Sequence, residues 1–302
     1  MYWICIAAAA ALCLVLLVLR LKQKGMKAWP ALIAVPLSAA LSFALAKVFY
    51  ACLMYNRTFA VYGLDSLFRM RAEEFSFFGG CVGASLGMAL TAKLTGNHAG
   101  KFLDAFAPAG CVSIALMRFA EKYLGMLGTS KYDTESALLC RFPFAVSNEW
   151  DEWYLAVFTL EALIALVIGA VFAFRSREEK FPLLLFLRVC YYLCVTQIFC
   201  ESVRMMSMRW GFVRAEQLLC GIAIFFILLY HCLKTPEKNP LKRFWPLLAC
   251  LGCVGALVGV EFALDRTELP DWFWYAVMLL ILFLFGVVEV LCVRRRCRSA
   301  KN

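Results

Sequence analysis

The sequence predicts an all-α, polytopic integral membrane protein, a bundle of about nine transmembrane helices with its amino terminus outside and its carboxyl terminus in the cytoplasm. Three observations carry that expectation. Of the 302 residues, 63% are hydrophobic, and the mean hydropathy is +0.76. Apolar runs of about 20 residues, the length that crosses a bilayer core as a helix, recur between charged clusters. The basic residues behind the net charge of +10 fall mostly in every second loop, a pattern that membrane topology explains without any nucleic-acid partner.

Taken in order, the runs are residues 2–19, 29–55, 75–94, 102–123, 153–174, 181–202, 213–233, 244–264 and 272–293. In the first, apolar residues follow Met1 directly and the positive charges come after them, the order of an anchor with its amino end outside rather than of a cleaved signal peptide. One side of the membrane then receives Arg20, Lys22, Lys24, Lys27, Lys93, Lys101, Arg175, Arg177, Lys180, Lys234, Lys238, Lys242, Arg243, Arg294, Arg295, Arg296, Arg298 and Lys301, eighteen of the 31 basic residues. The opposite loops hold acids such as Asp133, Glu135, Glu149, Asp151, Glu152, Glu268 and Asp271. The basic side is therefore read as cytoplasmic. All eight tryptophans fall near span ends, as an interfacial belt requires.

Fifteen cysteines would suggest disulfides in a short secreted chain, yet most lie inside apolar runs and read as small buried apolar residues. Cys250 and Cys253 have no second pair at zinc-ligand spacing, so the sequence implies no metal.

Two runs carry unusual residues. In the third, Gly79, Gly83 and Gly87 recur every four positions, with Gly80 beside the first, giving one small-residue face that lets another helix approach closely. In the fourth, Asp104 and Arg118 place charge inside a span, which is costly and points to a functional site by default. Counting about 1.5 Å of rise per residue from the cytoplasmic entries puts Lys47 about 27 Å deep, Arg118 about 24 Å and Glu201 about 30 Å, all close to the outer face. Tyr50 and Glu216 belong to the same layer, and Gln197, Glu201 and Arg204 share a helical face at spacings of four and seven. Asp104, Glu161, Arg188 and Glu289 fall below it, too few to continue a proton or ion path to the inner face.

Two readings of this layer stand side by side. Its charges pair with one another and hold the helices in register, or the cations Lys47, Arg118 and Arg204 bind a phospholipid phosphate, arginine through two parallel donors and lysine as a point charge.

The motifs favour a lipid. Ser76-Phe77-Phe78-Gly79-Gly80, then Asp104-Ala105-Phe106-Ala107-Pro108, then Met117-Arg118-Phe119-Ala120-Glu121 follow one another, with Lys47 and Tyr50 upstream and Glu201, Arg204 and Gln217-Leu218-Leu219 downstream. In this order, from about Ala40 to Leu233, the chain resembles the prolipoprotein diacylglyceryl transferase family. The family's patterns are Ser-Phe-His-Gly-Gly, Asp-x-x-Ala-Pro, Gly-Arg-x-Gly-Asn, Arg-x-x-Tyr, Glu-Phe-Phe-Arg and Gly-Gln-Leu-Leu. Three positions depart: Phe78 stands where the family has histidine, Glu121 where it has asparagine, and Gln197 where it has arginine.

The resemblance implies transfer of a diacylglyceryl group from phosphatidylglycerol to the cysteine thiol beside a lipoprotein precursor's signal peptide, outside the bacterial cytoplasmic membrane, with no cofactor. It implies Arg118 and Glu201 as catalytic residues, Glu201 orienting an arginine or accepting a proton; Glu121, a departure from the family, is by its position the candidate base in place of the lost histidine. Lys47, Tyr50, Gly79, Gly80, Arg204 and Gln197 would bind membrane lipid substrate. It leaves open a descendant that binds phospholipid or signal peptide without transferring anything. Residues 1–233 form the expected core; 234–302 add a hairpin of two spans and a basic tail, where Glu261 and the turn Asp265-Arg266-Thr267-Glu268 face outward.

Overall fold

In hydrocarbon a backbone has no water to bond, so each long apolar run must satisfy its own N–H and C=O groups, and a helix does so within one segment. The computed structural model of the protein describes residues 1–136, 138–175, 181–210, 213–237 and 239–299. Its elements run α1 (Tyr2–Gln23), α2 (Ala31–Leu53), a short α3 (Phe59–Tyr62), α4 (Phe77–Leu94), α5 (Ala99–Ala120), β1 (Thr129–Asp133), β2 (Ala145–Ser147), β3 (Trp153–Ala156), α6 (Val157–Arg175), α7 (Leu184–Val203), β4 (Arg209–Trp210), β5 (Val213–Arg214), α8 (Ala215–Lys234), α9 (Pro240–Arg266) and α10 (Asp271–Ser299). Among the described residues nine helices, all but α3, are long and apolar enough to cross a membrane. Of the basic residues used to orient the chain, Arg177, Lys180, Lys238 and Lys301 lie outside the described residues, as does the side chain of Asp265.

Most helix ends fall within a few residues of the sequence reading, and at two of them a strand stands where the reading starts a span. Residues 153–156 do not open the fifth span: they form β3, the middle strand of an antiparallel sheet ordered β1-β3-β2. Helix α6 therefore starts at Val157, and Glu161 sits in its second turn rather than deep below the polar layer. Likewise Val213 and Arg214 pair with Arg209 and Trp210 before α8 begins. In both places aromatic or β-branched residues next to a span satisfy their backbone groups across a strand pair instead of along a helix.

The chain divides into two compact units, residues 1–189 with 203–208, and residues 190–202 with 209–302. In the first, α4 lies against α2 along the glycine face. A Cβ on Gly79 would stand 2.7 Å from the Leu45 carbonyl oxygen, and one on Gly87 2.6 Å from the Ser38 Cα. Real side chains cannot come that close, so glycine is what permits the approach. Gly80 adds a backbone acceptor, its carbonyl receiving the Ser42 hydroxyl at 2.8 Å. The entry to α4 is fixed by Ser76, whose Oγ accepts the Gly79 N–H at 3.1 Å, satisfying one of the orphan donors of a helix start. Leu17 and Leu21 of α1, Ala34 of α2, Met88 of α4 and Phe102 of α5 build the adjoining core.

Asp104 has a structural account. Its two carboxylate oxygens accept the backbone N–H groups of Leu183 at 2.7 Å and Phe186 at 2.9 Å, so a buried acid on α5 caps the start of α7, where the helix dipole favours negative charge. Arg188 lies over the Phe172 ring at 5.1 Å.

In the second unit α8, α9 and α10 pack with the later part of α7. The Tyr191 hydroxyl donates to the Phe285 carbonyl at 2.8 Å and the Tyr192 hydroxyl to Glu289 at 3.0 Å. A hydroxyl facing an acid inside a span satisfies both groups at once. No disulfide joins any two cysteines among the described residues.

Candidate functional site

Arginine at the end of a transmembrane helix is expensive unless it is paired, and this fold supplies its partners from three separate stretches of chain. Arg118 occupies the last turn of α5, and Glu121 follows it in a 3-10 turn spanning Glu121–Leu124. Glu161 comes from α6. Arg204 has left α7, which ends at Val203, and is held in a β-bridge to Ser130 while the next residue, Met205, donates its N–H to the Thr129 carbonyl at 2.9 Å. The sequence spacing that puts Arg204 on one helical face with Gln197 and Glu201 therefore fails at its last member: the helix stops one residue short.

These four side chains meet. Arg118 Nη1 donates to Glu121 Oε1 at 2.5 Å, and its Nε lies 2.8 Å from Glu161 Oε2. Arg204 spans both acids, with Nη2 2.9 Å from Glu121 Oε2 and 2.5 Å from Glu161 Oε2, and Nε 3.0 Å from Glu161 Oε1. Arg204 thus takes Glu161 as a two-pronged fork, the strongest common form of guanidinium–carboxylate pairing. All four residues are buried, and two positive charges face two negative ones. Taking one partner away from such a buried set leaves a charge uncompensated and costs about 3–5 kcal/mol.

Two further contacts shape the cluster. The Arg118 guanidinium lies 3.8 Å from the centre of the Phe77 ring at the start of α4, a cation–π contact. Gly128, at φ +82°, leaves just enough room for Glu121: a Cβ there would collide with its carboxylate. Gly128 is doubly required, by its left-handed backbone and by this close approach.

The third expected cation is elsewhere. Lys47, buried on α2, donates to Glu74 Oε2 at 2.8 Å and stands over the rings of Phe75 at 5.1 Å and Tyr50 at 5.9 Å. Arg69 approaches the other oxygen of Glu74 at 3.7 Å. Of the cationic layer expected from the sequence, the structure brings Arg118 and Arg204 together and gives Lys47 an acid of its own, three residues before Phe77. Gly79 and Gly80 are taken up in the α2–α4 contact. Phe78 stands beside Phe49, with ring centres 6.2 Å apart.

The remaining residues belong to the second unit. Gln197 donates to Glu201 Oε1 at 3.0 Å, one helical turn along α7. Arg214 Nη1 donates to the backbone carbonyl of Glu201. Gln217 donates to the Ile198 carbonyl at 2.9 Å and to Glu261 Oε1 at 2.8 Å, and Arg214 Nε lies 4.0 Å from Glu261 Oε2. Glu261 thus accepts from Gln217 and lies near Arg214. Glu216 sits in the first turn of α8, where the dipole suits a carboxylate.

The model of the prolipoprotein diacylglyceryl transferase family matches residues 1–233. The chain belongs to that family. Comparison with curated proteins and with solved structures returns no match. Membership in the prolipoprotein diacylglyceryl transferase family makes this a multi-pass membrane protein of a transferase family, with lipid and lipoprotein substrates at the level of the family. The hairpin of α9 and α10 lies beyond the matched residues.

Two members of the ion-pair groups, Glu74 and Glu161, and the glycine that makes room for one of them, Gly128, are not recognisable as such in the sequence. Taking β3 as the start of a span places Glu161 too deep. The adjacent aromatics Trp153 and Tyr154, after the acidic loop and directly before a long apolar run, are the signal that marks the strand. Glu74 reads as one loop acid among several, and Gly128 as one glycine in a connecting turn; nothing in their local sequence names their partners.

Proposed function

We propose that this protein transfers a diacylglyceryl group from phosphatidylglycerol to the cysteine thiol of a lipoprotein precursor, at the outer face of a bacterial cytoplasmic membrane, with its amino terminus outside. The observation that carries the reading is the pairing of Arg118 and Arg204, two guanidiniums from separate parts of the chain converging on one pair of carboxylates. The planar donors that match a carboxylate match a phosphate equally well. In the reaction the precursor sulfur attacks the glyceryl carbon, the bond from that carbon to the phosphate oxygen breaks, and glycerol phosphate departs with the electron pair. Arg118 and Arg204 neutralise the charge that develops on the leaving group.

The thiol proton must leave, because the thiolate is the nucleophile. Glu121 is the carboxylate assigned to it, since Phe78, at the family's histidine position, offers no acceptor. As lipid phosphate engages the arginines, the Glu121 carboxylate is released from Arg118 and Arg204 and becomes available to accept. Glu161 keeps its two-pronged hold on Arg204. Lys47 and Tyr50 are assigned to holding substrate.

A second reading rests on the same four residues. Because Glu121 and Glu161 already engage both arginines, the set is electrically complete without a substrate, which suits a family member that holds phospholipid or signal peptide and transfers nothing. Purified protein in vesicles, supplied with glycerol-labelled phosphatidylglycerol and a cysteine-bearing precursor peptide, separates the two. Labelled thioether product supports transfer, and its loss in Arg118→Gln identifies the cluster as the site. Saturable binding of lipid or peptide without product supports the second reading, and neither binding nor product overturns both.

A further inference from the structure

Beyond the family-matched residues, the C-terminal helices gather positive charge around a cavity of about 360 Å³, within the range of small-ligand pockets. Lys242 and Arg243 come from the first turns of α9, Arg295 and Arg298 from the end of α10; Trp245 forms part of the wall, and Glu237 is the one acid in the lining. None of these four cations forms a salt bridge among the described residues. Elsewhere in the chain the buried cations Lys47, Arg118 and Arg204 each have a carboxylate close by, at 2.8, 2.5 and 2.9 Å.

The pocket is also held in shape. Arg243 donates Nε to the Cys232 carbonyl at 2.8 Å and Nη2 to the Leu233 carbonyl at 2.7 Å, tying the beginning of α9 to the end of α8. Arg295 donates to the Lys242 carbonyl at 3.1 Å and lies over the Trp245 ring at 5.1 Å. The Trp245 indole N–H is buried and meets no acceptor, an unusual state for a strong donor. Asn239 caps α9 through the N–H groups of Leu241 and Lys242, so the positive end of that helix dipole adds to the field. Lys242 and Arg298 remain exposed, and among the described residues neither side chain forms a salt bridge.

We propose that this cavity binds a phosphate group. Lys242 and Arg298 supply its direct contacts, Arg295 and the helix start supply fixed positive potential, and the Trp245 N–H supplies a donor. The chemistry fits the headgroup of an anionic phospholipid in the leaflet on the basic side of the membrane, and equally a free phosphate.

Full-length protein in neutral detergent, titrated separately with dioctanoyl phosphatidylglycerol and with inorganic phosphate, tests the site. Bound molecules are counted by native mass spectrometry, so that a lipid held at Arg118 and Arg204 is tallied apart. The double variant Lys242→Gln/Arg298→Gln changes two exposed side chains; Trp245→Phe removes the indole donor and keeps a ring under Arg295. The double variant is expected to lose one bound molecule, or to bind it at least about tenfold more weakly, and Trp245→Phe to weaken it a few-fold. Loss confined to the lipid titration assigns a headgroup, and loss confined to inorganic phosphate assigns the free ion. Unchanged binding of both probes in the double variant, or no binding of either probe by the parent protein, overturns the proposal.

Discussion

The two polar regions of this protein solve the same problem in different ways. Around Arg118 and Arg204, four full charges lie within 2.5 to 3.0 Å of one another and satisfy each other directly. Around Glu201 and Glu261, amides take part beside the charges: Gln197 answers Glu201, Gln217 answers Glu261, and Arg214 approaches Glu261 only to 4.0 Å. An amide donates and accepts without a net charge, so losing its partner strands a dipole. Losing a partner in the first region strands an ion. The first arrangement is therefore rigid and intolerant, while the second accommodates substitution.

That contrast can be broken most directly at Glu161. Replacing it with Ala leaves Arg118 and Arg204 without their shared carboxylate and is expected to cost about 3–5 kcal/mol, read as a lowered denaturation midpoint of the detergent-solubilised protein together with loss of phospholipid transfer or binding. If Glu161→Ala is as stable as the parent, the cluster is not a mutually dependent set. Next comes Gly128→Ala, which forces an L side chain into a left-handed backbone and against the Glu121 carboxylate; the strain is about 1–3 kcal/mol, read as a smaller drop in the same denaturation midpoint.

Glu121→Gln sharpens the comparison from the other side, by turning one charged pair into an amide pair. It removes a negative charge beside Arg118 and Arg204, so phosphatidylglycerol binding should tighten and become more salt-sensitive while turnover falls; full turnover in this variant would remove Glu121 as proton acceptor. In the second region Glu261→Gln is expected to cost only about 0.5–1.5 kcal/mol, since the Gln217 donor still finds an oxygen. A larger loss would show that Arg214 depends on that charge.

The smallest effect lies in the sheet outside the spans. The Tyr154 hydroxyl on β3 donates to Glu152 at 3.0 Å, and that hydrogen bond pushes the phenol pKa above its usual value. A raised folded pKa means that the contribution is fully present below the ordinary tyrosine range and is lost as pH rises through the folded value. Ultraviolet titration should show one phenol ionising late, absent in Tyr154→Phe.

Much of the fold is legible in the sequence. Apolar length sets the nine helices, and the glycines at positions 79, 83 and 87 announce a close helix contact, which α2 supplies. Arg118, Glu121 and Arg204 stand out because charge inside hydrocarbon is costly and therefore rare. Their partners do not. Glu161 enters the cluster only because three strands pair and shift the start of α6, and Arg204 enters it because α7 ends at Val203 and a bridge to Ser130 turns the chain. Lys47 shows the opposite outcome: its charge inside an apolar run is legible, but Glu74, reached through the turn before α4, claims it.

By itself, then, the sequence determined that this chain carries helices long and apolar enough for a bilayer and roughly where each one lies, because hydrophobic length is a local property summed along a segment. Which cation faces which acid was decided by tertiary structure alone. Pairing depends on distances of about 3 Å between residues dozens of positions apart, and no local periodicity encodes such a distance.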